Sequence, residues 1–170
     1  MEQILFKVDE SHKAFIRELF EDEAVAKYVI IDEEVKDDVG KLVDVWLEED
    51  ENAAGATFIV CAVEPATITK PEKQIPCGFI SFERRTQDSG RVTYALKATY
   101  RGQGYIKTGL KTVLKLLKDW GMKVVEADID TDNIASENIV KLLGFTTNRS
   151  KAVFDFERGG KMRHIWTKEL

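Results

Sequence analysis

The sequence predicts an α+β fold of three layers, in which helices cover both faces of a mixed, mostly antiparallel central sheet. Two observations lead to this prediction. Short runs rich in β-branched and aromatic residues indicate strands, and amphipathic runs with helical spacing lie between some of them. Their order is neither a strict alternation of strands and helices nor a succession of strands alone. With 170 residues, 44% of them hydrophobic, the chain fits a single domain over residues 1–170.

The first half of the chain is predicted to form a strand, three helices and two further strands. The predicted bounds are 4–8 for the first strand, 11–20, 22–28 and 33–49 for the helices, and 57–63 and 75–84 for the next strands. Within 33–49, apolar residues recur three and four positions apart, as on the buried face of a helix. The stretch Glu64–Gln74 carries two of the three prolines and is predicted to be a loop.

The second half of the chain adds strands and helices and closes with a hairpin. The predicted order is a turn at 86–91, a strand at 92–97, a helix from near Gly104 to Trp120, a strand at 123–130, a helix at 133–143, and a hairpin of 145–156 and 162–168 around Arg158-Gly159-Gly160. Gly121 and Gly144 follow the two helices. Glycine commonly ends a helix because it adopts a positive φ without strain.

Charge and composition limit the classes of partner. A net charge of −5 and a pI near 5.2 argue against broad binding to nucleic acid or anionic membranes, and suit cationic or neutral partners better. No apolar run approaches the ~20 residues of a membrane span, and the acidic N-terminal stretch is unlike a signal peptide, so we expect a cytoplasmic protein. Cys61 and Cys77 lie in apolar, strand-like segments and are predicted to be buried thiols.

The stretch TYRGQGYIKTGLKT, residues 99–112, combines three glycines with basic residues at the start of an amphipathic helix. The dinucleotide fingerprint G-x-G-x-x-G fails because Lys107 stands in the place of the third glycine. The phosphate loop G-x-x-x-x-G-K-[ST] fails because Leu110 follows Gly109 and turns the next lysine about 100° around the helix. A third interpretation is that backbone N–H groups of residues 101–106 bind a diphosphate at the helix N-terminus.

This loop resembles the cofactor loop of the GNAT superfamily of acetyl-CoA-dependent N-acetyltransferases, whose pattern is [QR]-x-x-G-x-[GA]. Arg101 and Gly104 match the first and fourth positions, and Ile106 replaces the final small residue. The run NIAS from Asn133, followed by KLLGF, is similar to a second motif of that family. FEDEAVAKYV at 20–29 and the closing GGKMRHIWTKEL are similar to segments of the branch that acetylates the N-termini of ribosomal proteins.

The resemblance implies how acetyl-CoA, used as co-substrate without a metal, would bind. Two neighbouring strands would diverge, and the pantetheine arm would lie between them like an additional strand. The diphosphate would lie against the glycine loop. The cofactor-binding residues implied in this way are Leu96, Lys97, Ala98, Arg101, Gly102, Gln103, Gly104, Tyr105, Ile106, Lys107, Asn133 and Ser136.

An amine acceptor is mostly protonated near neutral pH, so acetyl transfer to it requires a group that accepts a proton. Glu126, Asp128 and Asp130 alternate along one predicted strand and therefore share one face of the sheet. Asp128 precedes Asn133 by five residues, where some members of the family carry a catalytic glutamate. Asp128, Glu126 and Glu83 are the candidate catalytic residues. The structural alternative is that Glu126, Asp128 and Asp130 are solvated or paired with lysines.

The leading hypothesis is an N-acetyltransferase that moves an acetyl group from acetyl-CoA to a primary amine by direct attack in a ternary complex. The amine would belong to a protein N-terminus or a small molecule. The tyrosine that many relatives use as general acid would fall at Val140, and the sequence does not choose between Tyr94 and Tyr105 as substitutes. A non-catalytic acyl-CoA sensor or interaction module is the alternative, favoured by Ile106 and Val140. Homodimer formation is left open.

Overall fold

A computed structural model describes residues 3–29, 31–148, 152–155 and 160–170. Within these residues, seven strands form one sheet in the order β1-β2-β3-β4-β5-β7-β6. The strands are β1 (Gln3–Lys7), β2 (Gly55–Glu64), β3 (Lys73–Arg84), β4 (Ser89–Leu96), β5 (Val124–Asp130), β6 (Val153–Asp155) and β7 (Lys161–Glu169). Every neighbouring pair is antiparallel except β4 and β5, which are parallel. The predicted mixed, mostly antiparallel sheet is confirmed.

Helices cover both faces of the sheet, as predicted. They are α1 (Lys13–Phe20), α2 (Glu23–Tyr28), α3 (Leu42–Glu51), α4 (Tyr105–Asp119) and α5 (Ile134–Leu142). The first three helices pack on one face, where Phe79 and Ala95 of the sheet join their apolar residues. The other two helices pack on the opposite face against a second apolar cluster. In the described part of the chain, no helix is long and apolar enough to cross a membrane.

Strands β4 and β5 pair only at their beginnings. The parallel register runs from Ser89–Val124 to Arg91–Glu126. Beyond these residues, β5 continues along β7 as far as Asp130, and β4 continues along β3 as far as Leu96. The two strands therefore diverge, and the facing edges of their second halves are not joined by sheet hydrogen bonds in the described residues. This wedge-shaped gap is the divergence that the family resemblance implied.

Two predicted elements were wrong in their extent. The helix predicted over 33–49 begins only at Leu42, after separate 3-10 turns at Glu33–Val35 and Val39–Lys41. The side chain of Asp38 accepts a hydrogen bond from the amide of Gly40, which caps a new turn and interrupts the helix.

Residues 149–151 and 156 of the strand predicted over 145–156 lie outside the described part of the chain, and within its described residues the pairing is limited. Thr146 forms only an isolated bridge with Thr167, and β6 contains three residues. The predicted hairpin residues Arg158 and Gly159 lie outside the described part of the chain. Cys61 and Cys77 are buried free thiols as predicted, and burial raises their pKa values to about 11 and about 12.

Leu110 should be among the residues on which the fold depends most. It lies on α4 and has no solvent exposure, so replacement by alanine leaves a cavity against the sheet. We expect Leu110→Ala to lower the free energy of unfolding by about 3–5 kcal/mol. The measurement is urea denaturation followed by circular dichroism. Ile68→Ala, at a fully exposed position, is the control and should change stability by less than about 0.5 kcal/mol.

Candidate active site

A cavity of about 420 Å³ lies between the second half of β4, the N-terminus of α4 and α5. Nine of the twelve residues predicted to bind the cofactor line it. They are Leu96, Arg101, Gly102, Gly104, Tyr105, Ile106, Lys107, Asn133 and Ser136. Lys97, Ala98 and Gln103 lie in the adjoining chain but do not line the cavity. We call this space the cofactor cavity.

The glycine loop owes its shape to backbone conformation. Gly102 and Gly104 have φ values of 75° and 85°, in the left-handed region where a side chain is strained. A Cβ added at either residue would meet no atom within 4 Å. Glycine is therefore required here by the backbone angle, while the space in front of the loop is open. Gly104 is also the N-cap residue of α4.

The loop presents backbone donors without internal partners. The amides of Gly102, Gln103, Gly104, Ile106 and Lys107 have no hydrogen-bond acceptor among the described residues. The last three belong to the start of α4, where N–H groups point away from the helix and its dipole favours negative charge. A row of unpaired amides at a helix N-terminus is a ready site for a phosphate group.

The guanidinium group of Arg101 forms hydrogen bonds with groups outside the glycine loop. Its Nη2 donates to the Asp22 carboxylate at 2.6 Å, and its Nε donates to the main-chain oxygen of Leu96 at 3.1 Å. Arg101 therefore ties the glycine loop to the start of α2 and to the end of β4. Lys107 is exposed and lines the cofactor cavity, where its ammonium group can contact an anionic ligand.

A second cavity of about 190 Å³ lies on the sheet face covered by α1–α3. It extends between α2, α3 and the strands β3, β4 and β5. Five residues line both cavities: Tyr28, Val29, Tyr94, Asn133 and Ser136. The two cavities therefore meet where β4 and β5 diverge. We call the second space the acceptor cavity and their meeting point the junction.

Tyr94 occupies the junction, whereas Tyr105 lines only the cofactor cavity. The Tyr94 hydroxyl donates to the main-chain oxygen of Ser136 at 3.3 Å and so links β4 to α5 across the gap. Burial raises the pKa of Tyr94 above its usual value, so its hydroxyl stays neutral at physiological pH. Asn133 caps α5, and its side-chain oxygen accepts from the amide of Ser136 at 3.2 Å.

The carboxylates predicted to be catalytic are placed differently from one another. Asp128 lines the acceptor cavity, and its Oδ2 accepts hydrogen bonds from Arg91 and Arg163, each at 2.9 Å. Glu83 lines the same cavity and pairs with Arg91 at 3.0 Å. Glu126 shares the sheet face of Asp128 but does not line the cavity. Asp128 and Glu83 therefore pair with arginines, whereas Asp130 pairs with Lys161 at 3.5 Å, as the structural alternative expected.

Glu49 is a site residue that the sequence analysis missed. It lines the acceptor cavity from the last turn of α3, and its carboxylate has no hydrogen-bond or ion-pair partner in the described part of the chain. Burial raises the pKa of Glu49 to about 7, and the charges of Glu83 and Asp32 contribute to the rise. Because Glu49 belongs to the acidic run 48–51, the sequence alone does not separate it from its exposed neighbour Glu48.

The arrangement is typical of a group-transfer enzyme. The cofactor cavity suits an anionic group donor, the acceptor cavity suits a second substrate, and the two cavities meet at the gap between β4 and β5. The family described as "Acetyltransferase (GNAT) domain" matches residues 4–146. The chain belongs to this family and is therefore an acyltransferase of the GNAT superfamily, as the motifs predicted.

Solved structures agree with this fold over nearly the whole chain. The ribosomal L7/L12 alpha-N-protein acetyltransferase RimL, in complex with coenzyme A, is 14% identical with a TM-score of 0.80, covering 99% of this chain and 94% of the other. The ribosomal-protein-S5-alanine acetyltransferase from Vibrio fischeri is 15% identical with a TM-score of 0.76, covering 99% and 93%.

A third structure is a complex that contains a polyamine. Spermidine N-acetyltransferase from Vibrio cholerae, in complex with coenzyme A and spermine, is 12% identical with a TM-score of 0.73. It covers 98% of this chain and 95% of its own. No curated protein sequence matches the chain.

The environment of Glu49 should make the protein less stable as pH rises. The pKa of its carboxyl group is about 7 in the folded state against an ordinary value of 4.5. Between pH 4.5 and pH 7 the folded state therefore binds more protons than the unfolded state, and the free energy of unfolding falls as the pH rises through this range. We expect Glu49→Gln to raise the free energy of unfolding by about 1–2 kcal/mol at pH 8, because the half-buried site reduces the full effect of the shift. At pH 4, where wild-type Glu49 is largely protonated in both states, the gain should vanish.

Urea denaturation at the two pH values measures this difference. Glu48→Gln removes a carboxylate from the same helix turn, so it controls for the interaction of either charge with the helix dipole. An equal effect of the two substitutions at pH 8 would show that the surroundings of Glu49 are not responsible.

Proposed function

We propose that this protein transfers an acetyl group from acetyl-CoA to a primary amine by direct attack in a ternary complex. The observation that carries the proposal is the meeting of two cavities where β4 and β5 diverge. One cavity has the donors for an anionic carrier, and the other is lined by carboxylates that attract a cationic amine. Reaction at their junction needs no covalent intermediate, because positioning alone brings the two substrates together.

The residues of the cofactor cavity suit acetyl-CoA. The amides of Gly102, Gln103, Gly104, Ile106 and Lys107, which have no acceptor among the described residues, suit its diphosphate, and Lys107 adds a positive charge. In the described residues, the second half of β4, from Val92 to Leu96, makes no sheet hydrogen bonds toward β5 and suits the extended pantetheine arm. Lys97 and Ala98 do not continue that edge, because the Lys97 amide donates to the Cys77 carbonyl and the carbonyls of Lys97 and Ala98 accept hydrogen bonds in the turn Ala98–Tyr100. When bound, acetyl-CoA supplies the acetyl group as an activated thioester.

Asp128 is our proposed proton acceptor. It lines the acceptor cavity, whereas Glu126 does not, and Glu83 pairs in register with Arg91 at the closed end of the gap. Its Oδ2 is held by two guanidinium groups, and its Oδ1 has no hydrogen-bond partner in the described residues. The amine nitrogen bonds to the thioester carbon as the carbon–sulfur bond breaks, and the amine proton leaves toward Asp128, directly or through water.

The departing sulfur is proposed to take a proton from water. Tyr94 is the phenol at the junction, but its raised pKa makes it a weak acid, and its hydroxyl is engaged with Ser136. We therefore assign Tyr94 a structural role, in which its hydrogen bond to Ser136 links β4 to α5. Val140 stands at the position where many relatives use a tyrosine as general acid. It is fully buried in the apolar cluster and does not line either cavity.

The alternative of a sensor without turnover loses its sequence support. Ile106 is 4% exposed and packs into the apolar cluster beneath α4, so its side chain is accommodated by the core while its amide remains at the helix start. Val140 is likewise a core residue. Relatives with this fold act on a ribosomal protein or on spermidine, so both a protein N-terminus and a small amine are candidate acceptors.

Binding of acetyl-CoA should depend on the conformation of Gly104. We expect Gly104→Val to abolish the stabilisation that saturating acetyl-CoA provides, about 2.7 kcal/mol at one hundred times Kd, measured as a thermal shift. Gly121→Val is the matched control. Gly121 has a similar φ of 87° and equal open space but lies at the other end of α4, so this variant should lose stability yet keep the shift. Equal shifts in wild type and Gly104→Val would place the diphosphate elsewhere.

Turnover should depend on Asp128. In a steady-state assay of thiol release with a panel of primary amines, we expect wild-type turnover and a loss of kcat of about 100-fold or more in Asp128→Asn. Glu126→Gln, on the same strand and sheet face but outside the cavity, should keep its activity. Unchanged kcat in Asp128→Asn would exclude this carboxylate as proton acceptor, and acetyl-CoA binding without turnover on any amine would support a sensor.

A further inference from the structure

The acceptor cavity extends away from the junction along β3 and β4. On this face of β3, Phe79, Ser81 and Glu83 follow one another, and Glu83 pairs in register with Arg91. Arg91 precedes Tyr94 by three residues, about 10 Å along an extended strand. The cavity therefore has a near end at Tyr94, where transfer takes place, and a far end at Glu83.

Glu49 closes the far end. An ideal Cβ built on Gly55 would lie 3.0 Å from the Glu49 Oε2, and Gly55 pairs in register with Glu83. The carboxylate of Glu49 therefore lies above the same row of the sheet as Glu83 and Arg91. It faces the cavity at a distance from the junction that rules out direct contact with the amine under attack.

Glu49 differs from the other half-buried and buried carboxylates of the cavity in having no counter-ion. Glu83 and Asp128 have arginine nitrogens within 3.0 Å, and Asp130 has Lys161 at 3.5 Å. No lysine or arginine of the described residues forms an ion pair with Glu49: Arg85 pairs with Glu83 at 3.1 Å and only partly offsets the burial of Glu49, and Asp32 nearby adds negative charge. An ionised carboxylate taken from water is costly unless a cation compensates it, so a cationic ligand would be stabilised at this position.

Between the two ends, the side of the cavity toward α2 and α3 is apolar, whereas most of the charged groups lie on the sheet side. The residues that form the apolar side are Val29, Ile31, Leu42, Val45, Trp46 and Phe79. The rings of Trp46 and Phe79 are in contact, with centroids 4.9 Å apart. The hydroxyl of Ser81 is already bonded to Thr57 at 2.8 Å. Such a wall suits a methylene chain, whereas the amide groups of a peptide would find few partners along it.

We propose that the acceptor is a small aliphatic diamine, one nitrogen of which is acetylated at the junction while Glu49 binds the ammonium group at its other end. Glu49 is then a specificity-determining residue for the acceptor. This inference rests on the proposed acetyl transfer and adds the substrate class. It accounts for a polar near end, an apolar side toward the helices and a half-buried carboxylate without an ion-pair partner in the described residues at the far end.

The test compares two acceptors of equal length, diaminoheptane and heptylamine, in the thiol-release assay with acetyl-CoA. They differ in one terminal ammonium group. In wild type, we expect KM to be about 10- to 100-fold lower for the diamine, the range of a hydrogen bond to a charged group, with similar kcat. In Glu49→Gln, the KM of the diamine should rise to that of heptylamine, and the KM of heptylamine should not change.

Glu48→Gln, on the exposed side of the same helix turn, should behave as wild type with both amines. A loss of kcat on heptylamine in Glu49→Gln would overturn the inference, since it would make Glu49 part of the proton path. Equal KM values for the two amines in wild type, or a lower KM for an alanine-initiated peptide than for the diamine, would also overturn it and leave acetyl transfer standing. Absence of turnover on every acceptor would overturn both proposals.

Discussion

The short register between β4 and β5 is the constraint on which the rest of the site depends. Only the residues from Ser89 to Arg91 pair with β5, so the hydrogen-bonding edges beyond them face a gap. Main-chain groups in such a gap require partners, because unpaired polar groups away from water are costly. Side chains of β4 span the separation instead: Arg91 donates to Asp128 of β5, and Tyr94 donates to the main-chain oxygen of Ser136 in α5. Both cavities follow from this separation.

Arg91 also organises the charge of the acceptor side. Its two nitrogens contact Asp128 and Glu83, which lie on different strands, and Arg163 contacts Asp128 from β7. These contacts pair Asp128 and Glu83 and leave Glu49, on the covering helix, half-buried without an ion-pair partner in the part of the chain that the structure describes. A count of acidic residues would not distinguish the paired carboxylates from the unpaired one.

Local patterns predicted the parts of the fold and site that depend on local chemistry. The glycine loop was found from the spacing of Gly102 and Gly104 before an amphipathic helix and from its resemblance to a family motif, and the structure gives both glycines a positive φ. The sheet class followed from strand composition and element order. The helix start at Leu42 was missed because the cap formed by Asp38 interrupts an otherwise helical pattern. Contacts between distant segments were not predictable: the pairing of Arg101 with Asp22 and the exposure of Glu49 to a cavity depend on how helices pack on the sheet.

The contact between Arg101 and Asp22 joins two parts of the molecule that serve different ligands. Asp22 caps α2 through the amide of Ala24 and at the same time binds Arg101 of the glycine loop. Tyr28, at the end of that helix, belongs to the walls of both cavities. A ligand whose binding altered this contact would therefore act on the borders of both cavities, and any linkage that resulted would be reciprocal.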